Sequence, residues 1–306
     1  MNRPNESAMT QLVTRLLTLT SLIWMSLLGT ALPTIAAETM RPRVLIDAAH
    51  HNFHTAEGRY APLAKLLNEA GFTVGSAIGP VTPQLLKTTD VLVIANALHA
   101  SNVDRWEVPV AQAFSAEEIA SLAGWVDRGG ALLLIADHFP FPGAVTDLAA
   151  NFGFRLFNGF AIRTDLATAD IFDLDLGSLK RHNDITGTDL EPPVTRIASF
   201  TGSAFEATAG AQPLMTLSAD YELWFTSRAW EFRADTPKRT ANGLLQGATR
   251  LYGKGRVAVF AEAAMFTSQV TPDDQTRIGF DAPTARDNQT FVVNVFRWLS
   301  DSVNRR

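Results

Sequence analysis

The sequence predicts an α/β protein: a three-layer sandwich built on a mostly parallel sheet, with an irregular insertion and antiparallel strands at its edge. Three observations lead there. Short, wholly apolar runs (Val44-Leu-Ile46, Val91–Ala95, Ala131–Ala136 and Val257–Ala261) have the pattern of strands covered on both faces. Stretches of helical period lie between them, and several end at glycine, as at Gly71, Gly129-Gly130 and Gly153. The order β-α-β-α-β-α-β-α-β from Arg43 to Phe157 requires crossovers of the kind that join parallel strands. With 306 residues, 46% of them hydrophobic, the chain has enough apolar side chains for one substantial core.

The N-terminus stands apart from this pattern. Arg3 and Arg15 precede an uncharged, mostly apolar stretch from Leu16 to Leu32, and Ala36-Ala37 follows. That layout predicts a signal peptide over 1–37, cleaved after Ala36 or Ala37, and hence an exported, periplasmic or secreted protein. An uncleaved membrane anchor is the rival reading, since the stretch is near the lower limit for a span. The single domain then covers 38–306.

Within it, strand 43–47 leads to a helix marked by Tyr60, Leu63, Leu66, Leu67 and Ala70. A weaker strand follows at 72–78, interrupted by Gly75, then a short helix near Pro83 and the strand 91–95. Residues 99–114 show no period, and an ordered loop of that length is usually a lid or a binding loop. Ser115-Ala-Glu-Glu118 is a capping box for a helix through Val126. Strand 131–136 leads through Asp137-His138 to a helix over 144–152 and a short strand at 154–157. Residues 158–191 read as an irregular insertion. Strands are expected at 195–200, 213–217, 244–252 and 257–261, and a final helix over 288–303.

Five of the six histidines lie just past the end of an expected strand: His50, His51 and His54 after the first, His99 after the third, His138 after the fourth. In an open α/β sheet, ligands sit outside the carboxyl ends of the strands, so this rim is the expected site. Asp47, His50, His54, His99 and Glu262 are the candidate ligands of Zn²⁺ or another divalent metal, and His50-x3-His54 has the i,i+4 spacing of helical zinc ligands. Such a metal would acidify a bound water for hydrolysis. Without a metal, His50 or His138 would act as general base, oriented by Asp47 or Asp137, so His50, Asp137 and His138 are the candidate catalytic residues. The competing reading makes these side chains caps and loop braces, with Glu262 capping the segment after its strand. Tyr221, Trp224, Phe225 and Trp230 have two readings, a sugar-binding wall or core packing.

Composition excludes several classes. A formal net charge of −5 argues against nucleic acid as a partner. No cysteine is present, which removes disulfides and thiol nucleophiles.

Three stretches carry a family resemblance: Val44-Leu-Ile-Asp47 with His51-Asn-Phe-His54 and Gly58-Arg-Tyr60; the capped helix with Gly129-Gly130 and Ala131–His138; and Gly253–Glu262 followed by Asn288 and Phe291–Leu299. Together they resemble the class I glutamine amidotransferase-like superfamily, with its flavodoxin-like sandwich. Within it, the chain is similar to bacterial domains of unknown function and to the domain of gliding-motility and auxiliary ABC-transport proteins. Active amidotransferases of this kind place a cysteine at about Asp137-His138, so the resemblance implies the fold without the glutaminase. Two functions stay open at this stage. One is a hydrolase of a small envelope-derived or carbohydrate substrate, metal-dependent if the ligand set assembles. The other is a non-catalytic ligand-binding or interaction domain with an envelope protein partner.

Overall fold

The computed structural model describes residues 41–165, 169–271 and 275–301. The expected signal peptide at 1–37 lies outside them. The described residues form one compact unit.

Five strands make the parallel core of a nine-stranded sheet: β1 (Arg43–Asp47), β2 (Thr73–Ala77), β3 (Val91–Ala95), β4 (Ala131–Ile135) and β14 (Gly255–Phe260), in the order β2-β1-β3-β4-β14. Side chains alternate across each strand and so serve two cores. Val44, Ile46, Val91, Val93 and Leu133 pack with helices α1 (Ala61–Glu69) and α6 (Asn288–Ser300). Leu45, Leu92, Ile94, Leu132 and Leu134 face the other way, onto α3 (Ala116–Asp127) and α5 (Thr146–Asn151). A strand buried on both faces is apolar throughout, which is why these runs were readable. The sandwich is flavodoxin-like, as expected.

The remaining helices are short: α2 (Pro83–Leu86), in the connection expected near Pro83, and α4 (Phe141–Ala144), which precedes α5 where one helix over 144–152 is expected.

Two expectations are corrected. The strand at 154–157 does not continue the parallel series. Observed as β5 (Phe154–Leu156), it lies at the far edge, antiparallel to β9 (Phe205–Ala207), which in turn pairs with β13 (Leu245–Tyr252). β5 alternates buried, exposed, buried, whereas the slot beside β4 is covered on both faces; β14, with Val257–Phe260 fully buried, fills it. The antiparallel edge is completed by β10 (Ala211–Thr216) on β13. The stretch 158–191 is also less irregular than expected. It supplies β6 (Phe160–Arg163), which pairs with β11 (Tyr221–Trp224) and through it with β12 (Lys238–Thr240), and β7 (Asp170–Asp173), which pairs with β8 (Arg196–Ser199). A last small ladder joins β15 (Ser268–Val270) and β16 (Arg277–Gly279).

Gly255 opens β14 where the strand passes under the end of α3. A Cβ there would stand 2.1 Å from the Val126 carbonyl oxygen and 2.2 Å from that of Gly130, both backbone atoms. Gly255→Ala should therefore lower stability by about 1–3 kcal/mol, the usual cost of overpacking. An unchanged urea midpoint would refute this account of the glycine.

Candidate ligand site at the carboxyl rim

Because β1, β3, β4 and β14 are parallel neighbours, their carboxyl ends bring Asp47, Asn96, Asp137 and Glu262 to one rim. All four are buried. The rim holds a brace, a buried acid pair and an aromatic site.

The brace holds Asp47 and His50. His50 Nδ1 lies 2.9 Å from Asp47 Oδ2, and Nε2 lies 3.0 Å from Glu118 Oε1. The ring stacks on Phe114 at 4.0 Å. Glu118 belongs to the capping box read from the sequence, and its carboxylate also accepts from the Ser115 and Val81 backbone N–H groups. Burial alone would lower the His50 pKa, but the two carboxylates outweigh it and hold the imidazolium above its ordinary 6.5. Burial would likewise raise Glu118, but the Ser115 and Val81 N–H groups and His50 bring it below 4.5. Both ring nitrogens are engaged by carboxylates, so in this arrangement His50 braces Asp47 against Glu118.

The signs of the two shifts define a pH window. His50, raised, contributes stability that is complete below 6.5 and is lost as pH climbs through its folded pKa. Glu118, lowered, contributes stability present above 4.5 and lost as pH falls through its folded pKa. Urea unfolding against pH should therefore show the brace intact between these values. In His50→Phe the alkaline decline should flatten, and an unchanged decline would exclude His50 as its source.

The acid pair is Asp137 and Glu262. Asp137 Oδ1 accepts from the His138 N–H at 2.8 Å, and Glu262 accepts from the Ala264 and Met265 N–H groups at 2.7 and 2.8 Å. Glu262 is thus a cap for the turn Ala264–Phe266. Burial first, and then the charge of Asp137, pushes its pKa well up, and Asp137 is raised by burial too. The Tyr60 hydroxyl nearby donates to the Ala263 carbonyl at 3.0 Å and is itself raised by burial and by these acids.

The other expected metal ligands are dispersed. His99 is exposed and braces the turn Ala100–Asn102 through Ser101. His54 is 3% exposed and bonded to Asn96. Among the described residues no three His, Asp or Glu side chains form a group suited to a metal ion, so Asp47, His50, His54, His99 and Glu262 are not assembled as a ligand set. His51 is exposed, with left-handed backbone at φ 46°. His182 braces its own loop by accepting the Asp184 N–H.

The aromatic site surrounds His138. Its Nδ1 lies 2.7 Å from the Phe139 carbonyl oxygen. A carbonyl only accepts, so Nδ1 carries the proton and Nε2 keeps its lone pair. The ring stacks on Phe160 at 4.7 Å and 9°, meets Trp230 edge-on at 4.6 Å, and has Phe141 and Trp106 at 5.7 and 6.1 Å. Trp106 and Trp230 also line a surface cleft of about 550 Å³ with Arg105, Glu107 and Arg228. The two arms of the cleft are tied together: Arg228 pairs with Glu107 at 2.6 Å, Val108 N–H donates to the Ser227 carbonyl, and Ala229 N–H to that of Trp106. Trp230 is 54% exposed and sits at φ 66°, a left-handed conformation that is uncommon for a bulky residue.

Trp230 is on the cleft wall, while Tyr221 is buried with its hydroxyl on Asp170. Trp106, Phe160 and Arg228 were not singled out from the sequence. The one available signal was the long aperiodic loop 99–114, which contains Trp106.

The fold is an α/β sandwich with its polar residues on the carboxyl rim and no cysteine at the end of β4. No protein-family model and no curated protein matches the sequence. Among solved structures, the mmIFT52 N-terminal domain superposes with a TM-score of 0.60 at 15% identity, over 84% of this chain and 97% of that one. A ThuA-like protein from Bacteroides uniformis superposes at 0.50 and 10% identity, over 87% and 94%. At such identities the likeness is one of fold.

Proposed function

We propose that this protein binds a carbohydrate or a similarly hydroxylated small molecule in the cleft beside His138, as an exported ligand-binding domain. The observation that carries the reading is His138 itself: a histidine whose Nε2 has no partner among the described residues, ringed by aromatic side chains, two of which line the cleft. Sugars present apolar C–H faces and polar edges. Trp106 and Trp230 suit the faces, and Arg105, Glu107 and Arg228 suit the edges. A hydrolytic reading rests on the same Nε2, which is free to take a proton from water. Binding draws in addition on the aromatic and charged cleft wall, and so is the better supported function.

Binding is tested by titrating methyl glucoside, galactoside and mannoside, and the corresponding disaccharides, while following tryptophan fluorescence. Trp230→Ala should weaken the response about tenfold, equivalent to about 1.4 kcal/mol and within the range of a lost aromatic contact. No saturable response to any member of the panel would end the carbohydrate reading.

A further inference from the structure

The strand order reverses between β1 and β3, since β1 has β2 on one side and β3 on the other. The crevice between the loops that follow these two strands is where open α/β sheets take their ligands. His54 lies in the first of these loops and is bonded to Asn96 at the head of the second. Asn96 Oδ1 accepts the Asp137 N–H at 2.9 Å, which fixes the orientation of the amide. Its Nδ2 therefore donates to His54 Nδ1 at 3.2 Å, and the imidazole proton resides on Nε2. That Nε2–H is buried and has no acceptor among the described residues. Its ring packs against Tyr60 at 4.6 Å and Phe53 at 5.5 Å, and Phe53 in turn meets Trp106 of the cleft wall at 5.3 Å.

We propose that His54 is a specificity-determining residue of this site, its Nε2–H donating to a hydroxyl oxygen: that of water in the free protein and that of the ligand in the complex. This deepens the carbohydrate reading and rests on it for the ligand. Buried donors are nearly always satisfied, and one left over on a ligand-binding rim calls for an acceptor. The donor is constant, because burial, with Arg59 and His138 nearby, holds the ring neutral down to about 3. His138, in contrast, offers a lone pair. One imidazole gives a hydrogen bond and the other takes one, a combination that hydroxyls satisfy and carboxylates do not.

The test uses the full chain labelled with ¹⁵N-histidine. In the free protein, His54 should be the Nε2–H tautomer, with a rotating-frame cross-peak from that proton to a long-lived water. Absence of that cross-peak overturns the proposal whether or not any sugar binds. On titration with the methyl glycosides, the His54 Nε2–H resonance should shift along the same saturation curve as the tryptophan fluorescence. Saturating fluorescence with an unmoved His54 would overturn the proposal and leave the cleft reading standing. A flat fluorescence response would sink the cleft reading, and the water cross-peak would still decide His54. His54→Leu also strips Asn96 of its acceptor, so the unmodified chain carries the test.

Discussion

Replacing His50 with phenylalanine should cost about 3–5 kcal/mol of unfolding free energy, because it leaves a buried carboxylate without its counter-charge. Asp47 is 1% exposed and, among the described residues, accepts besides His50 only the Ala49 N–H, at 3.2 Å. Glu118 is less exposed to loss, since it keeps the Ser115 and Val81 N–H groups. The phenyl ring preserves the stack on Phe114, so the loss is electrostatic rather than one of volume. The double variant His50→Phe/Asp47→Leu should recover a large part of it, because removing both members of a buried pair is far less costly than removing one. Urea denaturation of wild type, both single variants and the double variant closes this cycle. Glycoside affinity should be unchanged throughout. A double variant no more stable than His50→Phe, or a loss of binding with the fold intact, would return His50 to the functional site.

Glu262→Leu should be comparably damaging, by roughly 2–6 kcal/mol, since two buried backbone N–H groups lose their acceptor and each costs about 1–3 kcal/mol. Relief of the repulsion with Asp137 offsets part of this. The pH dependence separates the two effects. A carboxyl whose pKa is raised on folding contributes stability that is complete below its unfolded value, near 4.5, and is lost as pH rises through the folded one. The stability gap between wild type and Glu262→Leu should therefore be widest at acid pH and narrow as pH rises. A gap that widens with pH would mean that Glu262 is held in the fold as a carboxylate.

The legible part of this fold was the part whose burial is two-sided. Val91–Ala95 and Ala131–Ile135 are apolar throughout because helices cover both faces, and local pattern alone reveals that. β6 and β11 were harder, since they pair with each other across more than fifty residues and neither has a run that marks it. β5 departs from the parallel series for a related reason: its one-sided burial suits the antiparallel edge, and the strand buried on both faces beside β4 is β14.

The site divides along the same line. Strand order placed Asp47, Asp137, His138 and Glu262 on one rim, and that much comes from reading strand ends. Whether a histidine there is free or committed depends on what faces it. Glu118 reaches His50 from 68 residues away and Asn96 reaches His54 from 42. A residue count of donors could not distinguish a metal set from a brace, because both use the same side chains. Trp230 joins the cleft only because the β11–β12 connection folds back over Phe160 and His138.

The position of β14 has a consequence for how the chain reaches this structure. β4 ends at Ile135 and its parallel neighbour begins at Gly255, so the central seam of the sheet joins segments that leave the ribosome far apart in time. Until about the last sixth of the chain emerges, β4 presents an unpaired and wholly apolar edge, the kind that templates aggregation. Closing that seam also carries the entropy of a loop of more than a hundred residues, which places the protein among slow, non-local folders. Its yield in a cell would then depend on whatever shields that edge in the interval, and a chain truncated before Gly255 should be insoluble even though most of the rim is already made.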